Sequence, residues 1–423
     1  MEGWGLVIIL GALIAFAPFS KRLAGTPITP AIVFTGVGFV LGTSALSVLD
    51  PAIDSSGLRL IAELSLTLVL FSDAASLDVR RLRRQTTLPA RLLLIALPLT
   101  IVLGALLALP LFPELSIFSA LALAVMLAPT DAALGQAVVS DRRLPTMLRQ
   151  GLNAESGLND GICVPILVAA IAFAEVEEAP SLEGQILVDL VRELSIALAV
   201  GIAIGLVAVG IVRVADRRGW ISDDWAMILA AATALLAYTA TDHLHGSGFI
   251  AAFTAGIVYG RGLGPRAAAT IHLDERVGQM LSAATFLLFG AVMVGPALAG
   301  LDVRVVVYAV LSLTVVRMLP VAVSLLGSGA SMPTVLFAGW FGPRGLATIV
   351  FALIIIDESD LSEAPVIMQT AVVVVLFSVI AHGLTAPWLT ARYARWLDGH
   401  RDDLAHRGEA PSPTGAPGEN HER

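Results

Sequence analysis

Four polar side chains lie together in one of the most apolar stretches of the chain, GLNAESGLNDG at residues 151–161. On a helix, Ser156 and Asp160 stack on one face. Glu155 and Asn159 form the neighbouring row. A charged side chain at the centre of a bilayer costs roughly 2.5–3.5 kcal/mol on insertion scales. Two carboxylates held there therefore indicate a functional site rather than a polar cluster that only ties helices together.

Two other apolar segments contain helix-breaking residues near their middle. In LAPTDAALG, residues 127–135, Pro129 removes a backbone donor, and Thr130 and Asp131 can cap exposed amide groups. In GWFGPRGLATIV, glycine and proline surround Arg344. The first segment alone also fits an ordinary proline kink. Broken helices at the middle positions of two three-span units are, however, typical of inverted-repeat transporters, which bind their substrate near the midplane.

The elements that carry these residues are predicted to be membrane-spanning helices. The chain has 423 residues, of which 57% are hydrophobic and 14% are charged, and its mean hydropathy is +0.84. Soluble domains average roughly 45–50% apolar and 25% charged residues. Apolar runs of about 15–25 residues predict about thirteen spans. They run near residues 4–19, 28–48, 57–76, 88–109, 116–139, 148–174, 186–212, 225–241, 246–260, 275–297, 303–326, 331–356 and 365–391.

The predicted fold is an all-α polytopic membrane protein with inverted repeats and two broken, crossing helices. One transmembrane domain is expected at residues 1–395, with core helices near residues 88–174 and 303–391 and the remaining helices as a scaffold. The tail at residues 396–423, rich in Pro, Gly and charge, is expected to be disordered. The single cysteine, Cys163, excludes an intramolecular disulfide framework.

The distribution of positive charge predicts the orientation. With the N-terminus outside, 21 of the 26 Lys and Arg residues fall in segments on the inner side of the membrane. The opposite connections are acidic or neutral, as in EVEEAPSLEG at residues 175–184. The positive-inside rule therefore predicts a multi-pass protein with the N-terminus outside and the C-terminus in the cytoplasm. The expected location is the plasma membrane, the inner membrane in a bacterium. The ionisable residues within spans that need a partner or a function are Asp73, Asp131, Glu155, Asp160, Arg317 and Arg344.

These motifs resemble those of a known family. APTD at residues 128–131, ESGLNDG at residues 155–161 and GPRGL at residues 342–346 are similar, in this order, to motifs of the sodium/proton exchangers of the monovalent cation:proton antiporter 1 family. LFSDAASLDV and GSGFIAAFTAGIVYG fit the third and ninth helices of that family. The resemblance extends to about residue 395, and ESGLND is its most specific element. Ala132 is a departure, because many members carry a proline after the TD pair.

The resemblance implies that Asp160 binds the ion and the proton. Proton and cation would compete for this one carboxylate, because removal from water favours its neutral form and a dehydrated cation favours its ionised form. If only the loaded site crosses the membrane barrier, the result is obligatory antiport by alternating access. Hard oxygen ligands suit a small alkali cation. The implied Na⁺ ligands, direct or through water, are Asp160, Ser156, Thr130 and Asp73.

Other residues of the motifs would have structural roles by the same resemblance. Asn159 and Asp131 would hold the crossing of the broken helices together. Glu155 and Arg344 would form a structural ion pair, and Arg317 would lie near the inner funnel as an accessory residue. The resemblance also implies a homodimer embedded in membrane lipid, with no cofactor and no nucleic-acid partner.

Asn159 also bears on the stoichiometry. A second carboxylate at this position, as in the related electrogenic exchangers, would add a titratable charge, whereas Asn adds none. The expectation is therefore one cation exchanged for one proton, an electroneutral cycle that is independent of the membrane potential.

Other functions fit the sequence less well. A channel needs a continuous water-filled path and rings of like charge, but the intramembrane charges here are of mixed sign. A membrane-embedded hydrolase needs a base beside its nucleophile, and Ser156 has no histidine in its span, so no enzymatic activity is expected. A non-transporting ion sensor would be expected to have lost Asp160 or Asn159. His243 and His245 fall in an outer connection and indicate a metal site only weakly. A potassium/proton exchanger remains open beside a sodium exchanger that also accepts Li⁺.

Overall fold

The computed structural model describes residues 4–23, 26–42, 45–46, 51–76, 87–131, 134–359 and 361–400. Regular structure in these ranges is helical throughout. The predicted all-α fold is therefore confirmed for the part of the chain that the structure describes. The helices, in chain order, are α1 Trp4–Phe16 (continued by the short turns Ala17–Phe19 and Ser20–Leu23), α2 Pro30–Leu41, α3 Pro51–Ser76, α4 (residues 87–111, with a π turn at Leu92–Ala96), α5 Ile117–Met126, α6 Gln136–Val139, α7 Thr146–Glu178, α8 Glu183–Arg218 (preceded by the 3-10 turn Pro180–Leu182), α9 Asp223–His243, α10 Gly248–Leu263, α11 Pro265–Thr270, α12 (residues 272–299, with a π turn at Phe289–Val294), α13 Val303–Leu313, α14 Val315–Ser324, α15 Met332–Trp340, α16 Leu346–Glu358 and α17 Ala364–Gly399.

Apolar length decides which helices can cross a bilayer, since roughly 20 residues are needed to span the hydrocarbon core. Among the described residues, 8 helices are long and apolar enough to do so. Shorter apolar helices of 10–17 residues add to them, and α5, α10 and part of α16 are of this kind. The polytopic fold is thus confirmed, whereas the number of thirteen spans stays a prediction.

Both predicted helix breaks are present. The fifth predicted span divides into α5 and α6, and the described residues between them, 127–131 and 134–135, are called break 1 here. The twelfth predicted span divides into α15 and α16 around residues 341–345, called break 2. Proline lacks the amide hydrogen that a continuous helix requires, which accounts for an interruption in each segment. Ala132, the departure from the family motif, lies outside the described residues.

The last helix crosses the predicted boundary of the transmembrane domain. α17 continues to Gly399, so residues 396–399 are helical rather than part of a disordered tail. Trp396 stacks on Tyr393, and Leu397 is buried, which explains why the helix extends past residue 395. Residues 401–423 lie outside the described part of the chain.

Close helix packing holds the elements around the breaks in place. α7 packs on α5 and α3, and α12 packs on α3 and α2. At the contact between α2 and α12, a Cβ atom added to Gly38 would collide with the backbone carbonyl of Leu287. Helices in membranes associate largely through such small residues, because lipid gives little hydrophobic drive.

This contact yields a test with a control on the same helix. We expect Gly38→Ala to lower the thermal unfolding midpoint in detergent, because overpacking typically costs about 1–3 kcal/mol. Gly36→Ala should keep or slightly raise the midpoint, since nothing lies within 4 Å of a Cβ atom at Gly36 and alanine favours the helix over glycine. Equal midpoints for the two variants would contradict the close packing of α2 on α12.

Candidate functional site at the crossing of two broken helices

Break 1 and break 2 meet through their backbones. The amide N–H of Asp131 donates to the carbonyl oxygen of Pro343 at 2.8 Å. The Asp131 carboxylate accepts from the N–H of Leu346, the first residue of α16, at 2.9 Å, and from the N–H of Leu134 at 3.2 Å. Asp131 on one broken helix therefore caps the N-terminus of a half-helix on the other. Gly345 leaves the space for this contact, since a Cβ atom there would collide with the Asp131 carboxylate.

Arg344 on break 2 performs the complementary task. Its Nη1 donates to the carbonyl oxygens of Ala128 and Pro129, at 2.6 and 3.0 Å, just beyond the end of α5. The Thr348 hydroxyl donates to the carbonyl oxygen of Met126 at 3.2 Å. The free carbonyl groups at the C-terminal end of α5 thus gain donors from the second broken helix.

These contacts also match charges to helix ends. A helix carries partial positive charge at its N-terminus and partial negative charge at its C-terminus. Asp131 lies at the N-terminus of α16, and the guanidinium of Arg344 lies at the C-terminal end of α5. Because water is scarce at this depth, each contact satisfies backbone groups that would otherwise cost several kcal/mol.

The α7 residues of the predicted site meet break 1. Asn159 Nδ2 donates to the Thr130 hydroxyl at 2.8 Å. The same hydroxyl lies 2.8 Å from the Ser156 hydroxyl, and either oxygen can be the donor. Asn159 therefore reaches the crossing at Thr130, the neighbour of Asp131. All three side chains of this chain of hydrogen bonds are buried.

Asp160 lies on the wall of a cavity of about 530 Å³. Its side chain is 7% exposed, and its Oδ1 atom has no hydrogen-bond partner among the residues that the structure describes. Asp73, Asp131 and Ser156 line the same cavity, so four of the predicted site residues share one space. Thr130 is not on the cavity wall but is hydrogen-bonded behind Ser156.

Asp73 of α3 reaches the site because the residue of α7 that faces it, Gly157, has no side chain. The carboxyl carbon of Asp73 would lie 3.1 Å from a Cβ atom at Gly157, so α3 approaches α7 between Ser156 and Asp160. The wall toward the beginning of α7 carries further polar residues that sequence reasoning did not identify. They are Arg149, Gln150 and Asn153 of α7 and Glu275 and Gln279 of α12.

The prediction that Glu155 forms an ion pair with Arg344 is wrong, because the partner of Glu155 is Arg317. The Glu155 carboxylate is bidentate to Arg317 of α14, with one contact through Nη1 and a second through Nη2 at 2.8 Å. Both side chains are 2% exposed. Arg344 instead binds carbonyl groups at the C-terminal end of α5, where its positive charge interacts favourably with the negative end of the helix dipole. Arg317, predicted as an accessory residue of the funnel, is thus the structural cation.

Sequence reasoning also missed a polar pair on α17. Ser378 accepts a hydrogen bond from the backbone N–H of Arg344 at 2.6 Å, and His382 lies 3.2 Å from the Ser378 hydroxyl. Both are buried within the apolar run VVVVLFSVIAHGLT. The signal that identified the other residues, a polar side chain within a span, applies here equally.

Comparison with known proteins gives a consistent match. The sequence profile of the family described as sodium/hydrogen exchanger, transmembrane, matches residues 8–392. A K(+)/H(+) antiporter, NhaP, of Alkalimonas amylolytica is 24% identical over 400 residues, covering 92% of this chain and 66% of that protein. A probable Na(+)/H(+) antiporter of Schizosaccharomyces pombe is 25% identical over 307 residues, covering 64% of this chain and 40% of its relative. The chain thus spans two thirds or less of the length of these curated relatives.

A solved structure shares the fold. The sodium proton antiporter MjNhaP1 from Methanocaldococcus jannaschii, determined at pH 8, superimposes with a TM-score of 0.75 at 19% sequence identity. The match covers 93% of this chain and 98% of the solved chain. At this identity the likeness establishes the fold and no more.

The corrected ion pair can be tested by a double-mutant cycle on stability. Glu155→Gln and Arg317→Gln should each cost about 3–5 kcal/mol, because each leaves an uncompensated buried charge. The double variant should be clearly more stable than the sum of the two losses predicts. Unfolding of purified protein in detergent would be followed by temperature or denaturant.

The same cycle with Arg344→Gln in place of Arg317→Gln is the control. Its non-additivity should be smaller, because Arg344 contacts backbone carbonyl groups rather than Glu155. A larger coupling of Glu155 with Arg344 than with Arg317 would restore the partner expected from the sequence.

Proposed function

Since this chain belongs to the sodium/hydrogen exchanger family, we propose that it is a secondary transporter that exchanges a monovalent alkali cation for a proton. The observation that carries the proposal is the state of Asp160. This carboxyl group is buried at the crossing of two broken helices, and Oδ1 has no hydrogen-bond partner within the described chain. It lines the 530 Å³ cavity, together with other polar residues. A buried carboxyl group so placed can accept either a proton or a cation.

The proposed cation site uses oxygen-bearing side chains that line this cavity. Asp160, Asp73 and Ser156 supply carboxylate and hydroxyl oxygens, which are hard ligands suited to alkali cations. Thr130 supports the site through its hydrogen bond to Ser156, and its hydroxyl can join the ligands if that bond rearranges. Asn159 keeps Thr130 in place from the other side. Asp131 contributes negative charge to the cavity while it caps α16.

Exchange follows from competition at Asp160. A proton neutralises the carboxyl group, and a bound cation compensates its charge, whereas the empty ionised form stays costly in a low-dielectric site. If only the two neutralised forms cross the barrier, each crossing carries one ligand and the return carries the other. The cation occupies the site less at low pH, so its apparent affinity should rise with pH.

Alternating access requires a site open to one side at a time. The cavity extends from Asp160 toward the beginning of α7, where Arg149 and Gln150 line it. Near the other end of the bundle, Gln369 of α17 donates to the carbonyl oxygens of Ala297 and Gly300, both at 3.0 Å. This contact joins α17 of the proposed core to the C-terminal end of the scaffold helix α12 and to the residue that follows it. By the positive-inside rule, we assign the open side to the cytoplasm, with the C-terminus cytoplasmic and the N-terminus outside.

The identity of the cation is proposed as Na⁺, with Li⁺ as a second substrate. K⁺ is the alternative, because the Alkalimonas relative that aligns over 92% of this chain is named a K(+)/H(+) antiporter.

We also propose that the protein resides in the plasma membrane as a homodimer. The apolar surface of α1 supports a face toward lipid or a second copy, since Leu6, Leu10 and Ile14 are exposed.

Asp160→Asn tests the proposal directly. In proteoliposomes that contain a pH-sensitive dye, addition of Na⁺, Li⁺ or K⁺ should change internal pH with the wild-type protein. We expect Asp160→Asn to abolish the change with every cation, because an amide neither ionises nor binds the proton. Asp224→Asn, at an exposed carboxylate of α9, is the matched control and should exchange normally. Normal exchange by Asp160→Asn would refute the mechanism.

The stoichiometry can be tested by voltage. With Asn159 uncharged beside Asp160, one cation should exchange for one proton, so no net charge moves. The exchange rate should then be the same with and without a potassium diffusion potential, although each moving charge would feel about 2.3 kcal/mol per 100 mV. Valinomycin at equal potassium concentrations on both sides is the control. A rate that follows the imposed voltage would rule out electroneutral exchange.

A further inference from the structure

Ser378 and His382 lie one turn apart on α17 and face break 2. Both are almost fully buried, with 0% and 1% of their surface exposed. Residues four apart on a helix project from the same face, so the two side chains act on the same neighbour. Neither belongs to the cation site proposed above, and neither lines its cavity.

The pair connects the two sides of break 2. His382 Nε2 lies 2.9 Å from the carbonyl oxygen of Trp340, the last residue of α15. His382 Nδ1 lies 3.2 Å from the Ser378 hydroxyl and 3.0 Å from the Ser378 carbonyl oxygen. The Ser378 hydroxyl accepts from the backbone N–H of Arg344 at 2.6 Å. An unbroken chain of polar contacts therefore runs from the end of α15 to the residue that caps α5.

The chemistry of these partners selects one imidazole tautomer. A carbonyl oxygen only accepts, so the Trp340 contact requires a proton on Nε2. Nδ1 of a neutral imidazole is then an acceptor, and the Ser378 hydroxyl can donate to it while accepting from Arg344. The opposite tautomer would place the Nε2 lone pair against the lone pairs of Trp340. The Nε2–H form thus satisfies Trp340 and the Ser378 hydroxyl. The Ser378 carbonyl oxygen, 3.0 Å from Nδ1, needs no donor from the ring because it lies inside α17, where the helix supplies a backbone N–H.

The charged groups around break 2 favour the neutral ring. Arg344 belongs to the break itself, and Arg317 of α14 lies against Gly342, where a Cβ atom would collide with its guanidinium. Glu155 faces Arg317 and is bidentate to it. α15 carries no charged residue. A protonated His382 would therefore add a cation beside two guanidinium groups, with the nearby carboxylate already paired.

We propose that His382, as the neutral Nε2–H tautomer, is a positioning residue for the cation site. It joins Trp340 through Ser378 to Arg344 and so sets the separation of α15 from α16. That separation places Arg344 on the carbonyl groups beyond α5 and places the Leu346 N–H on Asp131, which lines the cavity. The inference rests on the proposed exchange function, because it concerns the geometry of the same site.

Replacement of His382 tests the proposal through the apparent KM for Na⁺, with Li⁺ and K⁺ in parallel. His382→Leu should raise the KM about fivefold or more, because it leaves a buried acceptor unsatisfied and loosens the break. His382→Gln should stay within about twofold of wild type, since its amide N–H can replace Nε2–H as the donor to Trp340. His382→Asn is too short to reach Trp340 and should resemble His382→Leu. If His382→Leu does not fold, His382→Asn serves as the test variant in its place.

Two further variants separate positioning from general damage. Ser378→Ala should raise the KM, and the double variant with His382→Leu should be no worse than His382→Leu alone, because both break one chain of contacts. Thr370→Val is the matched control on α17, since the equally buried Thr370 hydroxyl donates within its own helix, to the carbonyl oxygen of Val366. It should keep the wild-type KM. Rates are normalised to folded protein by thermal unfolding in detergent.

The pH profile provides the readout that a merely structural role would not predict. Because the ring stays neutral, His382→Gln should preserve the wild-type dependence of rate on pH. A shifted profile for His382→Gln, or a wild-type KM for His382→Leu or His382→Asn, would overturn the proposal. Failure of Gln to rescue function would overturn it too. If the wild-type protein exchanges no cation for protons, the proposed function itself fails, which is a distinct result.

Discussion

The reciprocal capping of two interrupted helices is the interaction on which the rest of the structure depends. An interruption within a membrane exposes amide and carbonyl groups that water cannot reach, so protein groups must satisfy them. Here each broken helix supplies the cap for the other: Asp131 meets the N-terminus of α16, and Arg344 meets the carbonyl groups beyond α5. Two unstable interruptions become one stable crossing because their unsatisfied groups are complementary in hydrogen bonding and in charge.

The crossing explains why α7 can carry so much polarity at mid-depth. Glu155 is held by Arg317 in a buried bidentate pair, and Asn159 and Ser156 are held by Thr130 on break 1. These contacts fix the positions of the side chains that make them. Asp160, one turn from Ser156, keeps an oxygen without a protein partner among the described residues and faces the cavity. A surround held in this way places a buried carboxyl group whose charge can change beside the cavity, which is the property that the proposed exchange requires.

Much of the site was predictable because polar groups are costly in a membrane, so a polar residue within an apolar run indicates a function. Asp160, Asp131 and Arg344 each stand out in an apolar run, and the Pro and Gly residues beside two of them indicated the breaks. The partner of Glu155 was not predictable in this way. Arg317 and Arg344 are both buried arginines, and residue type gives no basis for choosing between them. Ser378 and His382 carry the same signal, a polar side chain within an apolar run, but their partners across the fold, Arg344 and Trp340, could not be read from residue types.

The amino-acid sequence by itself determined that this is a helical membrane protein, where its helices break, and which residues are too polar for their surroundings. These properties follow from composition and from local chemistry along one segment, so they can be read without the fold. Only the tertiary structure decided which arginine neutralises Glu155, that Asn159 acts through Thr130, and that Gly157 admits Asp73 to the site. The reason is physical: a buried charge or hydrogen-bonding group selects its partner by distance and direction, and these are set by how distant segments pack.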